Sequence, residues 1–381
     1  MPFAAAMSEH PIATHATGEV VGQVLEAIGD APDLAVLFVT APHGGALEDI
    51  ARTVREVLHP GTLLGVTAVS VLGGEREVEE LPAITLWAAR LGASVTPVRL
   101  DASIASIGIA VSGLGPELVG DEQERTLVLL ADPFSLPLDD FLDAAPETYP
   151  GLRVVGGLAS AARGPGGNRL VLDDQVYDSG AIGALLPASG SLTAVVSQGC
   201  RPIGTPMTVT KSDGRIIYEL AGRPALERLV ELLEILDPEE RELAQRGIHL
   251  GRVIDEHKVD FDRGDFLIRT VMGGDREVGA IAVGDIVDIG ATVQFQVRDA
   301  ASADHDLREL LTGKQAQSAL VFTCNGRGTH LFGEPHHDAL VIDAHVDGGA
   351  TAGMFCAGEV GPIGTRSFLH GFTASILLFE D

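Results

Sequence analysis

Two short clusters of chemically active side chains lie near the end of this 381-residue chain, each directly after an apolar run. The first run covers residues 319–322 and the second 353–355. The side chains that follow these runs are Cys324, Asn325, Arg327, Cys356 and Glu359. A cysteine becomes a nucleophile when a nearby cation lowers its pKa, and an arginine binds a carboxylate through two parallel hydrogen bonds. The clusters therefore indicate a ligand site or a site of thiol chemistry.

Both apolar runs are typical of buried strands, which are short and bounded by turn residues. Ligands of open α/β sheets bind outside the carboxyl ends of the strands. We therefore expect the two strands to end side by side, with Arg327 facing Glu359 across a cleft. Arg327 would hold an acidic group of the ligand, and Glu359 would accept from an amine or hydroxyl. In the alternative, the two charges only pair with each other, and both cysteines are small buried hydrophobic residues.

Arg201 is a further candidate for holding an anionic ligand group, for the same reason of guanidinium geometry. If Arg327 faces solvent in the empty protein, replacing it should weaken ligand binding with little loss of stability. All three cysteines, Cys200, Cys324 and Cys356, are expected to be reduced, because so few cysteines do not make a disulfide framework.

The order strand, turn, helix, strand, glycine-rich turn, strand recurs three times along the chain. The three copies cover 34–89, 126–186 and 319–379, and the third has a His-rich loop where the helix pattern is unclear. The segment between the second and third copies has antiparallel strand patterns around a hairpin turn at 211–214 and a helix starting at Pro224. The sequence thus predicts an α/β, two-domain mixed-sheet fold with internally duplicated strand–helix–strand units. Residues 91–120 are predicted to be a loop with an uncertain strand.

Composition excludes several classes of partner. The net charge of -28 repels nucleic acid and anionic membranes, and aromatic residues are only 4% of the chain. The start of the chain lacks the basic residues and long apolar core of a signal peptide, and no apolar run is long enough to cross a bilayer. These features favour a cytoplasmic protein.

The residues between His336 and Asp347 include three histidines and three aspartates, which could in principle bind a metal ion. Their spacing matches no metal motif known to us, and we expect a solvated loop without metal. The acidic stretch 255–265 does not follow calcium-loop spacing. Phosphate-binding and nucleophile-elbow motifs are also missing, so the sequence predicts no cofactor.

Several stretches resemble FIST proteins, the F-box and intracellular signal transduction family. The N-terminal half of the family is matched at 152–160 and 197–204, and the C-terminal half at 264–269, 290–295, 355–364 and 368–373. The resemblance implies a FIST N-like domain at 20–221 and a FIST C-like domain at 222–381. It departs from the family at 65–67, where many relatives have a cysteine that this chain lacks.

The resemblance implies a sensory module that binds a small metabolite, such as an amino acid or a derivative, in signal transduction. About nineteen residues precede the matching region and two follow it, which favours a stand-alone protein with a separate signalling partner. The alternative is an enzyme that uses Cys324 or Cys356 with Glu359, and an interaction scaffold without a ligand is the third hypothesis. The sequence leaves the ligand and the oligomeric state open.

Overall fold

The structure is a computed structural model, and it describes residues 3–104, 109–187, 191–258 and 260–380. The chain divides into two compact units. The first unit consists of residues 1–196, 308–369 and 373–381. The second unit consists of residues 197–307 and 370–372. Residue 222, where the sequence divides the two predicted halves, lies inside the second unit.

The first copy of the repeat is a set of strands covered by two helices. Its elements are β1 (Phe3–Ser8), α1 (Ala13–Ile28), β2 (Leu34–Thr40), α2 (Leu47–Leu58), β3 (Thr62–Ala68), β4 (Ser70–Gly73), β5 (Arg76–Glu79) and β6 (Ile84–Ala89). β2 is buried along its whole length, as an apolar strand covered on both faces must be. The buried residues of α2 recur every three or four positions, so that one face of the helix packs on the sheet.

The second copy repeats this arrangement with one helix. Its elements are β7 (Thr96–Ile104), β8 (Ile109–Ser112), β9 (Arg125–Ala131), α3 (Leu138–Thr148), β10 (Leu152–Leu158), β11 (Leu170–Leu172), β12 (Gln175–Tyr177) and β13 (Ala181–Leu185). β7 and β8 occupy much of the stretch predicted to be a loop with an uncertain strand; its residues 105–108 lie outside the described residues.

The second unit is inserted after the strand that opens the third copy. That opening strand is β14 (Leu192–Gln198). The elements that follow are β15 (Cys200–Pro202), β16 (Met207–Asp213), β17 (Ile216–Leu220), β18 (Arg223–Pro224), α4 (Ala225–Ile235), α5 (Pro238–Arg246), β19 (Ile248–Val253), β20 (Phe266–Asp275), β21 (Ala280–Val283), β22 (Thr292–Arg298) and α6 (Ala300–Leu311). The strands pair in the order β22-β16-β17-β21-β20-β19, and β19 pairs back with β22. They therefore close into an antiparallel barrel around an apolar core.

The third copy resumes after the barrel. Its elements are β23 (Ser318–Cys324), α7 (Thr329–Phe332), α8 (His337–Asp343), β24 (Thr351–Cys356), β25 (Glu359–Ile363), β26 (Arg366–His370) and β27 (Thr373–Phe379). The His-rich segment was predicted to be a loop, and this prediction is wrong. Positions 338, 339, 341 and 342 are buried, which is the spacing of one helix face.

The three copies share one topology. The first two long strands of each copy run parallel, in the pairs β2–β3, β9–β10 and β23–β24. The third long strand pairs antiparallel with the first, in β6–β2, β13–β9 and β27–β23. This identity of order and direction confirms the internal duplication predicted from the sequence.

The copies also exchange hairpins. β4–β5 of the first copy joins β24 of the third, β11–β12 of the second joins β3 of the first, and β25–β26 of the third joins β10 of the second. Each of the three sheets therefore contains a hairpin from another copy. As a consequence, a residue of the first copy can lie at the strand ends of the third.

The three sheets enclose one apolar core to which all three copies contribute. Trp87 lies in this core with no exposed surface and donates its indole N–H to Ser318 Oγ at 2.6 Å, so its polar atom is satisfied. Among the helices of the described residues, none has both the length and the apolar character needed to cross a bilayer.

Gly353 in β24 tests how closely the central strands pack. A Cβ atom at this position would lie 2.0 Å from the Val321 carbonyl oxygen of β23. We expect Gly353→Ala to destabilise the protein by about 1–3 kcal/mol or more, because backbone atoms must move to relieve the clash. Gly18→Ala is the control, since nothing lies within 4 Å of that position on α1. Urea denaturation should show lower stability only for Gly353→Ala; equal stability of the two variants would contradict the packing.

Candidate functional site

The strands β23 and β24 end next to each other. They are parallel, and Cys324 is the register partner of Cys356. The Asn325 N–H donates to the Cys356 carbonyl at 2.9 Å, and the Arg327 N–H donates to the Cys324 carbonyl at 2.8 Å. The turn after β23 is therefore fixed against the end of β24. Four of the candidate residues lie at this edge, and Glu359 opens β25 three residues after Cys356.

Arg327 is buried, with 1% of its surface exposed. Its Nε and one terminal nitrogen donate to the two carboxylate oxygens of Asp338 in α8, at 2.6 and 2.8 Å. Thr323 donates its hydroxyl to the same carboxylate at 2.7 Å. Arg327 therefore does not face solvent, because α8 supplies a buried carboxylate that balances the charge. The condition under which its replacement would cost little stability is not met.

Asp338 is held in its charged form by its surroundings. Burial raises the pKa of this carboxyl, but the adjoining Arg327 guanidinium outweighs burial and holds the pKa well below its usual range. His337 places Nδ1 3.1 Å from an Asp338 oxygen, and its ring stacks on Phe332. The Arg327 guanidinium also lies 5.3 Å from the Phe332 ring centre. The pair is thus a fixed structural element of the site.

Glu359 is fully buried. Its Oε2 accepts hydrogen bonds from the Thr373 N–H at 3.1 Å and the Thr373 hydroxyl at 2.9 Å. Burial raises the pKa of this carboxyl to about 8, although the Thr373 bonds and the nearby Cys324 thiol and Arg327 charge act in the opposite direction. Glu359 is therefore mostly neutral at neutral pH.

Glu77 comes to this edge from the first copy, on the exchanged hairpin β4–β5. Its Oε1 accepts from the Ala339 N–H of α8 at 3.0 Å. Burial, followed by the charge of Asp338, raises the pKa of Glu77 to about 7. We call the whole set the strand-end cluster, and its members are Glu77, Cys324, Asn325, Arg327, Asp338, Cys356 and Glu359.

Four polar atoms of the strand-end cluster are buried without a hydrogen-bond partner in the described part of the protein. They are Glu77 Oε2, Asn325 Oδ1, Glu359 Oε1 and the remaining terminal nitrogen of Arg327. Leaving a buried polar group unpaired costs about 1–3 kcal/mol. In native proteins, buried polar atoms of this kind usually bind an ordered water molecule, an ion or a ligand. The cluster therefore has unused hydrogen-bonding capacity: a guanidinium donor, an amide oxygen, and two carboxyl oxygens that act as acceptors when their groups are ionised.

The two thiols of the cluster differ in environment. Cys356 is fully buried, and burial raises the pKa of its thiol well above the ordinary value, helped by the nearby Glu359. Its sulfur packs on β10 at Gly157, where a Cβ atom would lie 2.3 Å from Sγ. Cys324 is half-buried, and its sulfur accepts from the Gly326 N–H at 3.4 Å.

Arg201 lies in the second unit. It donates to Asp299 at 2.8 Å and to Glu240 at 3.0 Å, so two carboxylates already balance its charge. In the His-rich segment, Asp343 accepts from Thr351 at 2.6 Å and His345 Nδ1 lies 3.1 Å from the Lys314 carbonyl. The described residues contain no group of three side chains arranged to hold a metal ion.

The corresponding edge of the first copy, beyond β2 and β3, opens into a cavity of about 400 Å³. Gly44, Gly45, Thr67 and Arg169 contribute to its lining. The Arg169 N–H donates to Thr67 Oγ1 at 2.9 Å, and the lining contributes none of the unpartnered buried atoms found in the described residues. The edge of the first copy therefore has a cavity but, among the described residues that line it, no unpaired buried polar atoms. The strand-end cluster of the third copy has such atoms.

Comparison with known proteins shows which family the chain belongs to. The model of the FIST N domain matches residues 33–223, and that of the FIST C domain matches residues 225–362. The chain belongs to the FIST family. An uncharacterised protein of Mycobacterium bovis is 42% identical over 97% of both chains, and one of Mycobacterium tuberculosis H37Rv is 41% identical over the full length of both. FIST domains are associated with signal transduction and sensory roles.

Sequence reasoning missed Asp338 and Glu77 as members of the cluster in this FIST protein. In the sequence, Asp338 lies among histidines and aspartates that are typical of a solvated loop, and Glu77 lies in a hairpin far from the cluster. The available signal for Asp338 was the helical spacing of the apolar residues that follow it, Ala339, Val341 and Ile342. The position of Glu77 depends on the hairpin exchange, which leaves no local pattern in the sequence.

The raised pKa of Glu359 makes stability depend on pH. Between its ordinary value of 4.5 and its folded value of about 8, the folded state binds a proton that the unfolded state has lost. Stability should therefore fall as pH rises through this range, by up to about 1.4 kcal/mol per pH unit, and level off above it. Glu359→Gln should lose less stability than the parent between about pH 5 and 8 in urea denaturation. Parallel pH profiles would contradict the assignment.

The Arg327–Asp338 pair should dominate stability at this edge. We expect Asp338→Asn to destabilise the protein by about 3–5 kcal/mol, because it leaves a buried guanidinium without its counter-charge. The control is Arg246→Ala, which removes an exposed pair with Glu242 on α5 and should change stability by less than about 0.5 kcal/mol. Similar small losses for both variants would mean that Arg327 is not buried as described.

Proposed function

We propose that this FIST protein is a sensory protein that binds a small ligand at the carboxyl ends of β23 and β24. The contacting residues would be Cys324, Asn325, Arg327, Cys356 and Glu359. The observation that carries this proposal is a buried donor and a buried acceptor, both unpaired, in one cluster: the terminal nitrogen of Arg327 and Oε1 of Glu359. The association of FIST domains with sensory roles supports it.

The polar atoms define the chemical class of the ligand. An Arg327 nitrogen that is not used by Asp338 can donate to a carboxylate oxygen. Glu359 Oε1 and Asn325 Oδ1 can accept from an amine. A molecule that carries a carboxylate and an amine a few bonds apart satisfies both sides, so an amino acid or a close derivative fits best. It would enter past the half-buried turn at 324–326.

Arg201 stays outside the proposed site, because Asp299 and Glu240 already bind its guanidinium. We also propose that this FIST protein is a cytoplasmic protein with a signalling protein partner; its net charge of -28 disfavours nucleic acid and anionic membrane surfaces as partners. We keep the two predicted domains, 20–221 and 222–381, as the FIST N-like and FIST C-like parts of the sequence.

An enzyme is the second candidate, and one observation favours it. Glu359, with a pKa of about 8, lies beside the half-buried thiol of Cys324, and a carboxyl with such a pKa suits proton transfer near neutral pH. Mass spectrometry of the ligand after incubation separates the two candidates. A sensor returns the ligand unchanged, whereas an enzyme releases a product of different mass.

Ligand binding should release a proton. An ammonium group on Glu359 requires the carboxylate form, so a carboxyl with a pKa of about 8 must lose close to one proton at neutral pH. We expect at least one member of a panel of standard free amino acids to bind in titration calorimetry. Its apparent binding enthalpy should change between two buffers by about the difference in their ionisation enthalpies, because the buffer takes up the released proton.

Glu359→Gln is the decisive variant for this titration. It should weaken binding about ten- to a hundredfold, the cost of a lost charge-assisted hydrogen bond, and should abolish proton release. Glu242→Gln, on exposed α5, is the control and should bind like the parent. No binding across the panel, or full binding by Glu359→Gln, would contradict the proposed site.

A further inference from the structure

Cys324 and Cys356 are arranged as a pair. They are register partners at the carboxyl ends of adjacent parallel strands, and register partners project to the same face of a sheet. Adjacent strands lie about 4.8 Å apart, within the range of about 4.4–6.8 Å that separates the Cα atoms of a disulfide. Both residues are followed by a turn with glycine at its second position, Gly326 or Gly358, which gives the backbone room to adjust.

The surroundings make Cys324 the more reactive of the two. Its sulfur accepts from the Gly326 N–H at 3.4 Å, and the positive charge of Arg327 acts on it. A hydrogen-bond donor and a positive charge near the sulfur are the surroundings in which reactive cysteines are found. Cys324 is also half-buried, whereas Cys356 has no exposed surface. An oxidant in solution therefore meets Cys324 first.

Glu359 does not oppose this reactivity at neutral pH. Because burial raises the pKa of its carboxyl to about 8, the group is mostly protonated and adds little negative charge beside the Cys324 sulfur. Cys356 keeps its own proton because burial raises the pKa of its thiol. The cluster thus pairs a half-buried thiol with a fully buried thiol that keeps its proton.

We propose that Cys324 and Cys356 form a hydroperoxide-reactive dithiol that closes to an intrachain disulfide. The Cys324 thiolate attacks one peroxide oxygen, the O–O bond breaks, and the departing alkoxide or hydroxide takes a proton. Cys324 is then a sulfenic acid. Cys356 loses its proton and attacks the Cys324 sulfur, and the departing hydroxide is protonated to water. Two thiols and one hydroperoxide thus give one disulfide, one alcohol or water, and one water.

This dithiol goes beyond the proposed sensory site and does not require an amino-acid ligand, although it uses two of the residues proposed to contact one. The disulfide would join the ends of β23 and β24 at the turn that carries Asn325. A thiol pair at this position gives the protein an input from oxidants at the same strand ends where the metabolite is proposed to bind.

The test is to treat the reduced full-length protein with hydrogen peroxide. We expect the intact mass to fall by about 2 Da as two hydrogens are lost, and peptide mapping without reductant to show a Cys324–Cys356 link. Cys356→Ser should stop at the sulfenic acid and react with dimedone at Cys324. Cys324→Ser should lack the rapid reaction with hydrogen peroxide, because the thiol that attacks the peroxide is missing.

Cys200→Ser is the matched control, because Cys200 is a buried cysteine of the second unit, and it should form the disulfide like the parent. Peptide mapping of the parent decides the question even if a serine variant fails to fold. A parent that gains oxygen without forming the link, or a link that includes Cys200, would overturn the proposal.

Discussion

The structure of the strand-end cluster depends on a guanidinium that is held out of water. A buried charge requires a partner with matching geometry, and Arg327 obtains it from Asp338 through two hydrogen bonds. This requirement fixes α8 against the turn after β23. It also uses two of the three nitrogens of Arg327 and leaves the third unpaired. The same interaction that holds the edge together therefore creates its unused donor.

The exchange of hairpins between copies brings other acidic residues to the Arg327–Asp338 pair. The β4–β5 hairpin of the first copy pairs with β24 of the third, and so brings Glu77 to the backbone of α8. Glu359 begins the hairpin that the third copy donates to β10 of the second. The acidic groups of the cluster thus lie at junctions between copies. A threefold duplication has produced one edge that is rich in buried charge and another, in the first copy, that has an open cavity.

The sequence predicted those parts of the fold that have a local signal. Strands such as Leu34–Thr40 and Ser318–Cys324 are apolar and fully or nearly fully buried, and their glycine-rich ends marked the edge of the sheet. The burial of Arg327 had no such signal, because its partner lies in a short helix flanked by histidines. Glu77 is 262 residues away in sequence from Ala339, the residue whose N–H it binds. Its role follows from strand pairing between copies, which hydrophobic periodicity does not encode.

In the proposed function, a ligand supplies hydrogen-bond partners for the unpaired atoms of Arg327 and Glu359. A high-resolution crystal structure of protein purified from its own organism, with no ligand added, is the sharpest test. We expect density larger than a water molecule within about 3.2 Å of both the third Arg327 nitrogen and Glu359 Oε1. A direct hydrogen bond between these two atoms, with no space between them, would contradict it and make the pair purely structural.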